Sequence, residues 1–461
     1  MPPPAEYGGR LTGMDLCLYM DAFAEQFLKG RIRFRTEVLN VRRDSNEWKV
    51  QVKDLSSDAE EDLHFNKIVG SSIPFIPQEI SASMGAFKGP IFHTYEFKNM
   101  MDQIISEVKP KTEPGSGVVV VVGGGKSAQD TAASLALKGR KVKVIFDTVN
   151  AFLAAPQPLP PFIRKGGSAR TLTTFRRFLH STTIGNWIVH TVWNLLEGSS
   201  FDAAHVPKDS LLRRNNPVFW GFMIDDFGAV SPTDWVSLVN EGKIELVALA
   251  RVTGFGENGR SVLLSNGERI EADAIVLGTG YRSSWDKIFD EETLEELGLK
   301  TVAPSDAYHW DHKSLSNPPN STTKDRQAMA LYRGIIPSKI IDRHVFAVNG
   351  AIYTGNFGYV TEMASHWISS YFLRDPFLKV PSPEEALEET QARSVVGTAV
   401  PSRADVEWPQ LVDTMLEDMQ LPSARSGGYW FNWPFKVVDL KEIEHLSEER
   451  RQKRKAFAVA A

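Results

Sequence analysis

The sequence predicts an α/β fold organised around a parallel sheet, and three consecutive features of one stretch support this prediction. The five valines from Val118 to Val122 indicate a strand that is buried on both faces, as in parallel sheets. Three glycines follow directly, and Ser127 to Leu137 then has the alanine- and leucine-rich composition of a helix. A glycine stop with basic neighbours ends that helix, and Val142 to Phe146 predicts a second strand. This order makes a β-α-β unit of about 30 residues.

The glycine turn has the spacing of a dinucleotide-binding loop. Gly123 allows a tight turn out of the strand, and Gly125 has no side chain to block a pyrophosphate. Ala128 stands where a third glycine is common, and its small methyl group still lets helix and strand pack closely. The N–H groups at the start of the helix would face the phosphates. We therefore predict a nucleotide site formed by Gly123, Gly124, Gly125, Lys126, Ser127 and Ala128, with a purely structural glycine turn as the alternative.

Composition excludes several classes of protein. The length of 461 residues suggests about three domains, and a net charge of −5 gives no reason to expect a nucleic-acid partner. The single cysteine, Cys17, excludes a disulfide framework, a CxxC redox pair and a cysteine zinc site, and we expect it to pack in a core. No metal site is predicted. The start carries no signal peptide, and the longest uncharged run, Phe178 to Leu196, is too polar for a membrane span, so we expect a cytoplasmic protein.

The N-terminal part predicts a helix followed by antiparallel strands. Thr12 to Lys29 has helical periodicity, and we expect its apolar face to be buried: Leu16, Tyr19, Met20, Phe23 and Phe27. Ile32 to Val52 alternates as a β-meander, with Ile32 and Phe34 expected to point inward.

Later segments predict further α/β structure. Two short strands flank the turn Asn266-Gly267, which predicts a hairpin. Ala274 to Leu277 predicts a buried strand that ends in Gly278, Thr279, Gly280 and Tyr281, where the backbone can approach a ligand; a plain turn is the alternative. Thr361 to Leu373 predicts a helix, and the charged tail, Glu442 to Lys455, predicts a solvated one.

The segment Phe87 to Phe97 contains a histidine, His93, for which two roles are open. The imidazole is either catalytic or held by backbone hydrogen bonds in a turn-and-strand segment. Composition alone favours the second role.

Three motifs in this order resemble the flavin-containing monooxygenases, which are class B flavoprotein monooxygenases. Phe87, Gly89, His93 and Phe97 match the F-x-G-x-x-x-H-x-x-x-[Y/F] identifier of that family. The turn from Gly123 to Ala128 matches its NADPH fingerprint, and Leu277 to Tyr281 matches its A-T-G-Y segment with glycine in place of alanine. The resemblance covers most of Tyr19 to Trp367.

The resemblance implies two dinucleotide-binding, Rossmann-like domains. A discontinuous FAD domain would take residues 1–112 and 281–461, with a charged tail, and an NADP domain would take residues 113–280. Val38 lies in the part of the FAD domain expected to line the flavin nucleotide. The family begins with its own strand–GxGxxG–helix unit for FAD, which this sequence lacks, so we expect an N-terminally shortened chain that holds FAD poorly. The family's upstream active-site asparagine is missing too, so no catalytic residue is named.

The activity implied by the resemblance is that of an N,N-dimethylaniline monooxygenase-like enzyme. NADPH reduces FAD, O₂ forms a flavin hydroperoxide, and the hydroperoxide oxygenates a soft nitrogen or sulfur atom of a small molecule. The expected partners are thus a small-molecule substrate and O₂, and the oligomeric state is left open. The alternative is a non-catalytic nucleotide-binding remnant without its FAD phosphate anchor.

Asp147, directly after the second strand of the β-α-β unit, bears on the choice of coenzyme. A carboxylate there accepts hydrogen bonds from ribose hydroxyls and repels a 2′-phosphate. Lys126, Arg164 or Lys165 are candidates to compensate this charge. The family resemblance favours NADPH, and NADH stays open.

Overall fold

The computed structural model describes residues 12–44, 46–71, 76–77, 87–147, 149, 154–155, 179–215, 217–221, 228–229, 231–282, 285–299, 313–315, 331–351, 357–397, 410–423, 425 and 439–460. Its helices are α1 Gly13–Phe27, α2 Phe97–Glu107, α3 Lys126–Leu137, α4 Thr183–Ala203, α5 Val218–Gly221, α6 Trp235–Asn240, α7 Trp285–Ile288, α8 Glu291–Leu297, α9 Phe357–Leu373, α10 Pro383–Gly397, α11 Gln410–Asp418 and α12 Leu446–Ala460. None of the helices in these ranges has the length and apolar character needed to cross a membrane.

The strands are β1 Thr36–Asp44, β2 Glu47–Asp54, β3 Glu60–Phe65, β4 Ile68–Gly70, β5 Ile76–Pro77, β6 Ile91–His93, β7 Val118–Val122, β8 Lys141–Phe146, β9 Ala154–Ala155, β10 Gly228–Ala229, β11 Ile244–Ala248, β12 Val252–Phe255, β13 Ser261–Leu264, β14 Arg269–Glu271, β15 Ala274–Leu277, β16 Tyr281–Arg282, β17 Leu331–Tyr332, β18 Ile336–Pro337 and β19 Phe346–Val348.

The chain forms two compact units, and each unit is made of two segments that are separated in the sequence. The first unit takes Met1–Ile68 and Trp285–Thr293, and the second takes Val69–Ser284 and Leu294–Ala461. The boundaries expected from the family resemblance, 1–112, 113–280 and 281–461, stay a prediction.

The first unit contains an antiparallel meander of β1, β2 and β3. The alternation predicted β1 and β2, whereas β3 lies beyond the predicted range of Ile32 to Val52. Trp48 is fully buried on β2, with the Phe289 ring 6.4 Å away and the Arg43 guanidinium 5.5 Å from the Trp48 ring. The prediction that Ile32 and Phe34 point inward is wrong. Both precede β1, and Phe34 is 74% exposed. The alternation of apolar and polar residues continues back to Ile32 and Phe34 in the sequence. Both residues lie outside the paired strands, however, so the sheet does not direct their side chains inward.

Helix α1 begins as predicted but buries none of its residues. Thr12 caps it in a capping box with Asp15. Its five predicted inward residues and Cys17 are all exposed, so the expectation of core packing for Cys17 is wrong. Apolar periodicity identifies an amphipathic helix, but it does not specify what that helix packs against.

The second unit is organised around a five-stranded parallel sheet with the order β11-β8-β7-β15-β6. Val119 and Val121 of β7 face one apolar cluster, together with Ala128 and Ala132 of α3. Alternate residues Val120 and Val122 face a second cluster on the other side of the sheet. The sheet is therefore buried on both faces, as the valine run predicted. The predicted hairpin across Asn266-Gly267 is confirmed as β13 and β14.

A helical cluster of the second unit joins α9, α11 and α12, with Trp367, Tyr371 and Phe377 fully buried. The charged C-terminal tail forms a helix, α12, as predicted, but one side of it is buried rather than solvated. Leu446 is fully buried, and Arg450 of α12 donates to Ser369, Ser370 and His366 of α9. The high charge of the tail does not prevent burial because the guanidinium has a polar partner for each of its nitrogens.

Candidate functional site

Three neighbouring strands of the sheet, β6, β15 and β7, end side by side. Each of the three sequence motifs either contains the end of one of these strands or follows it directly. Leu277 of β15 pairs with Val122 of β7 on one side and with His93 of β6 on the other. The glycine turn leaves β7, the Gly278–Tyr281 turn leaves β15, and His93 ends β6. In the sheet, β8 lies on one side of β7 and β15 lies on the other side. This is the switch point at which open α/β sheets bind ligands.

The two glycine turns are in direct contact. Gly123 has φ +124°, and a Cβ atom built on it would lie 2.2 Å from the carbonyl oxygen of Gly278. Backbone hydrogen bonds hold both turns, because Gly123 N–H donates to Ile145 O at 2.8 Å and Gly278 N–H donates to Val122 O at 2.7 Å. Only glycine fits at position 123, since the backbone conformation and the contact both exclude a side chain.

Gly278 also faces the first turn of α3. A Cβ atom on Gly278 would lie 2.5 Å from Ala128 Cβ. The small side chain predicted at position 128 therefore packs against the second turn as well as against β7. Gln129, one residue later, is buried, and its side-chain amide donates to Gly124 O at 3.0 Å. This bond fixes the carbonyl in the middle of the glycine turn.

The start of α3 suits a bound phosphate. Gly125 is the N-cap residue and makes no side-chain hydrogen bond to the helix. The first N–H groups of an α-helix have no acceptor within the helix, and the helix dipole favours an anion there. The residues present thus fit the pyrophosphate of one dinucleotide: a glycine cradle without side chains and a helix start that no side chain caps.

His93 links two of the motifs through backbone hydrogen bonds. Tyr95 N–H donates to its Nδ1 at 3.1 Å, so Nε2 carries the proton and donates to Gly280 O at 3.0 Å. Burial lowers the pKa of the imidazole below its ordinary 6.5, while the Gly280 carbonyl and the Glu96 carboxylate act in the opposite direction. The Tyr281 ring meets the imidazole edge-on, with 5.0 Å between the centroids. Both ring nitrogens of His93 thus have backbone partners, as composition favoured.

The other residues of the first motif make packing contacts. Phe87 is buried, and its ring lies 5.8 Å from that of Phe255. A Cβ atom on Gly89 would lie 2.2 Å from Asp273 O, which explains the glycine. Phe97 begins α2 and packs against the cluster beside the sheet.

Asp147 follows β8 at the same edge of the sheet, and an arginine binds its carboxylate. Arg251 donates from Nε and from Nη2 to Asp147 Oδ2, at 3.0 and 2.8 Å. Lys126, one candidate to compensate this charge, pairs instead with Asp130 at 2.7 Å. Arg164 and Lys165 lie outside the described residues. Arg251 was not named from the sequence, because a gap of 104 positions separates it from Asp147.

The residues expected to bind FAD are less clearly grouped. Val38 lies on β1 in the first unit and is 45% exposed. Within the part of the chain that the structure describes, Val118–Leu137 is the one unit in which consecutive glycines join a strand directly to a helix. These residues accordingly fit one dinucleotide phosphate group and show no second glycine cradle.

Comparisons with known proteins give distant relatives over most of the chain. No family model matches. The chain is 24% identical over 478 residues to the FAD-dependent monooxygenase resA of Aspergillus sclerotiorum, covering 89% of this chain and 80% of that protein. A shorter match to the trimethylamine monooxygenase of Pelagibacter ubique has 32% identity over 118 residues, covering 25% of this chain and 24% of that protein.

Among solved structures, a crystal structure of cyclohexanone monooxygenase with bound ε-caprolactone has a TM-score of 0.52 at 14% identity. It covers 85% of this chain and 79% of that chain. This likeness shows the α/β fold of flavin monooxygenases with two dinucleotide-binding domains.

Proposed function

We propose that this chain, a distant homologue of the class B flavin monooxygenases over most of its length, is an FAD- and NADPH-dependent monooxygenase. Its substrate would be a small molecule with a soft nitrogen or sulfur atom. The single observation that supports this most is the row of strand ends, where the Gly123 turn, the Gly278 turn and His93 meet.

In this proposal the described residues bind the coenzyme NADPH and position it for the reaction. The turn from Gly123 to Ala128 and the start of α3 bind the pyrophosphate of NADPH. Gly278, Thr279, Gly280 and Tyr281 lie beside that turn and contact the cofactors. His93 holds the Gly280 carbonyl in place and so positions this second turn. FAD, when bound, supplies the chemistry with O₂.

Similarity to known monooxygenases is the reason for proposing that the oxygenated atom is nitrogen or sulfur. The matched stretch of the trimethylamine monooxygenase supports a nitrogen compound, although the match covers 25% of this chain. A cyclic ketone is the competing substrate class, because one solved structure with a similar fold is that of a cyclohexanone monooxygenase.

The experiment uses the full chain with FAD, NADPH and ¹⁸O₂. The proposal predicts one ¹⁸O atom in the N-oxide of trimethylamine or in the sulfoxide of a thioether, with NADPH consumed in equal amount. A labelled lactone from cyclohexanone, without amine or thioether products, would reject the soft-atom substrate.

A second candidate is a non-catalytic nucleotide-binding protein. The observation in its favour is that one unit among the described residues, Val118–Leu137, joins a strand directly to a helix through consecutive glycines. The same experiment separates the two, because that protein would bind NADP⁺ but would give no labelled product and no substrate-dependent NADPH consumption.

A further inference from the structure

We propose that Gln129 holds the peptide between Gly124 and Gly125 in the orientation that presents its N–H to the pyrophosphate of the bound dinucleotide. Gln129 lies just beyond the residues predicted to bind the coenzyme. It is a positioning residue, because its side chain acts through the backbone of the glycine turn. The inference rests on the proposed function, since it needs a dinucleotide on the Gly123 turn.

Helix α3 fixes the place of the Gln129 side chain. Gln129 is 4% exposed, and its backbone N–H donates to Gly125 O at 3.0 Å. Its side-chain Nε2 donates to Gly124 O, also at 3.0 Å. One residue therefore holds the carbonyl groups of two successive glycines. Gly124 is itself buried, so leaving its carbonyl without a donor would cost free energy.

The same side-chain bond sets the direction of the Gly125 N–H. In a trans peptide the C=O and N–H bonds point in opposite directions. Because the Gly124 carbonyl points towards the buried Gln129 amide, the Gly125 N–H of that peptide points away from it. This N–H donates to no acceptor within the part of the chain that the structure describes. It is therefore available to an anion at the start of α3.

The peptide between Gly124 and Gly125 would rotate easily without this hold. Rotation of a peptide plane changes ψ of the residue before it and φ of the residue after it, and glycine tolerates a wide range of both angles. A half-turn would bring the Gly124 carbonyl to the place of the Gly125 N–H. The pyrophosphate would then meet a partial negative charge in place of a donor. The lack of side chains that admits the phosphate thus also creates a freedom that Gln129 removes.

The first test is isothermal titration of NADP⁺ into the full chain and into Gln129→Met, which keeps an unbranched side chain but has no donor. We expect the dissociation constant to rise at least about tenfold. Gln103→Met is the matched control, because the Gln103 amide is exposed and donates to Glu107 on α2. It should bind NADP⁺ as the wild type does. A purely structural role of Gln129 would lower the melting temperature and the number of sites per chain, but would leave the dissociation constant unchanged.

A second variant, Gln129→Glu, replaces the donor with an acceptor of the same size. A carboxylate cannot hold the Gly124 carbonyl, and it can accept the Gly125 N–H only if the peptide rotates. We therefore expect Gln129→Glu to bind NADP⁺ more weakly than Gln129→Met does.

The third measurement is ³¹P NMR of NADP⁺ at saturating concentration, which observes the pyrophosphate and the 2′-phosphate separately. In Gln129→Met the pyrophosphate signals should lie closer to those of free NADP⁺ than in the wild type, and the 2′-phosphate signal should keep its wild-type position. An unchanged dissociation constant in folded Gln129→Met, wild-type affinity in Gln129→Glu, or equal displacement of all phosphate signals would overturn the inference while the proposed function stands. A wild-type chain that binds no NADP⁺ would overturn both.

Discussion

Gly123 lies so close to Gly278 that it cannot carry a side chain without moving the Gly278 turn. A Cβ atom on Gly123 would lie 2.2 Å from Gly278 O, and a Cβ atom on Gly278 would lie 2.5 Å from Ala128 Cβ. The two turns leave adjacent strands, so the contact joins them into one surface at the edge of the sheet.

Gly123→Ala tests the first of these contacts. We expect a loss of about 2 kcal/mol or more in unfolding free energy, because strain at positive φ adds to a clash with backbone. Gly139→Ala is the control, since Gly139 also has positive φ, +76°, but has open space at its Cβ position. Thermal unfolding should show a clearly larger drop in melting temperature for Gly123→Ala, and equal drops would argue against the contact.

Gly278→Ala and Ala128→Gly form a double-mutant cycle for the second contact. Gly278→Ala alone should destabilise the protein, since its new methyl group meets that of Ala128. In the Ala128→Gly background the loss should be smaller by at least about 1 kcal/mol. Additive losses would mean that the two residues do not touch in solution.

His93 predicts a dependence of stability on pH. Because burial lowers its pKa in the folded state, the neutral form is favoured by folding. This stability is fully present above the unfolded value of about 6.5 and is lost as the pH falls through the lower folded value. His93→Gln removes the titrating group. We expect the melting temperature of the wild type to fall more steeply than that of His93→Gln between about pH 7 and pH 5.

His366 contributes in the same direction, because burial and Arg450 lower its pKa too. The prediction therefore concerns the difference between wild type and variant. Parallel curves would show that His93 does not titrate in this way.

We expect substitution of Asp418 to cause the largest single loss of stability in the helical cluster. Arg333 donates to both of its oxygens, at 3.1 and 3.2 Å, and the Trp367 indole donates to one of them at 3.1 Å. Asp418→Asn removes the carboxylate that accepts from two nitrogens of the buried guanidinium and leaves Glu389 as a remaining carboxylate partner of Arg333, which costs about 3 kcal/mol. Glu245→Gln breaks a more exposed pair with Lys143 and should cost at most about 1 kcal/mol. Chemical denaturation of both variants compares them, and losses of the same size would contradict the buried pair.

The sequence predicts the β-α-β unit well because its signals are local. A valine run, three glycines and a glycine stop specify β7, the turn and α3 within two residues of the predicted boundaries. The role of His93 followed from a turn-and-strand pattern, although its partner Gly280 is 187 positions away.

The features that the sequence did not predict depend on contacts between residues that lie far apart in the chain. Arg251 reaches Asp147 only because β11 lies beside β8 and Leu249 turns the chain back. The burial of Arg450 depends on serine partners in α9, and the exposure of α1 depends on the absence of a covering element among the described residues. Periodicity carries no information about these neighbours.

The most direct test of the proposed coenzyme site is the titration of NADP⁺ into the full chain and into Gly125→Val. A branched side chain at position 125 would occupy the space of the pyrophosphate. We predict one NADP⁺ per wild-type chain and an affinity at least about tenfold lower in the variant, roughly 1.4 kcal/mol. Gly198→Val, at a position with open space on α4, should bind as the wild type does. Unchanged affinity in a folded Gly125→Val chain would contradict the assignment of the Gly123–Ala128 turn as the coenzyme site.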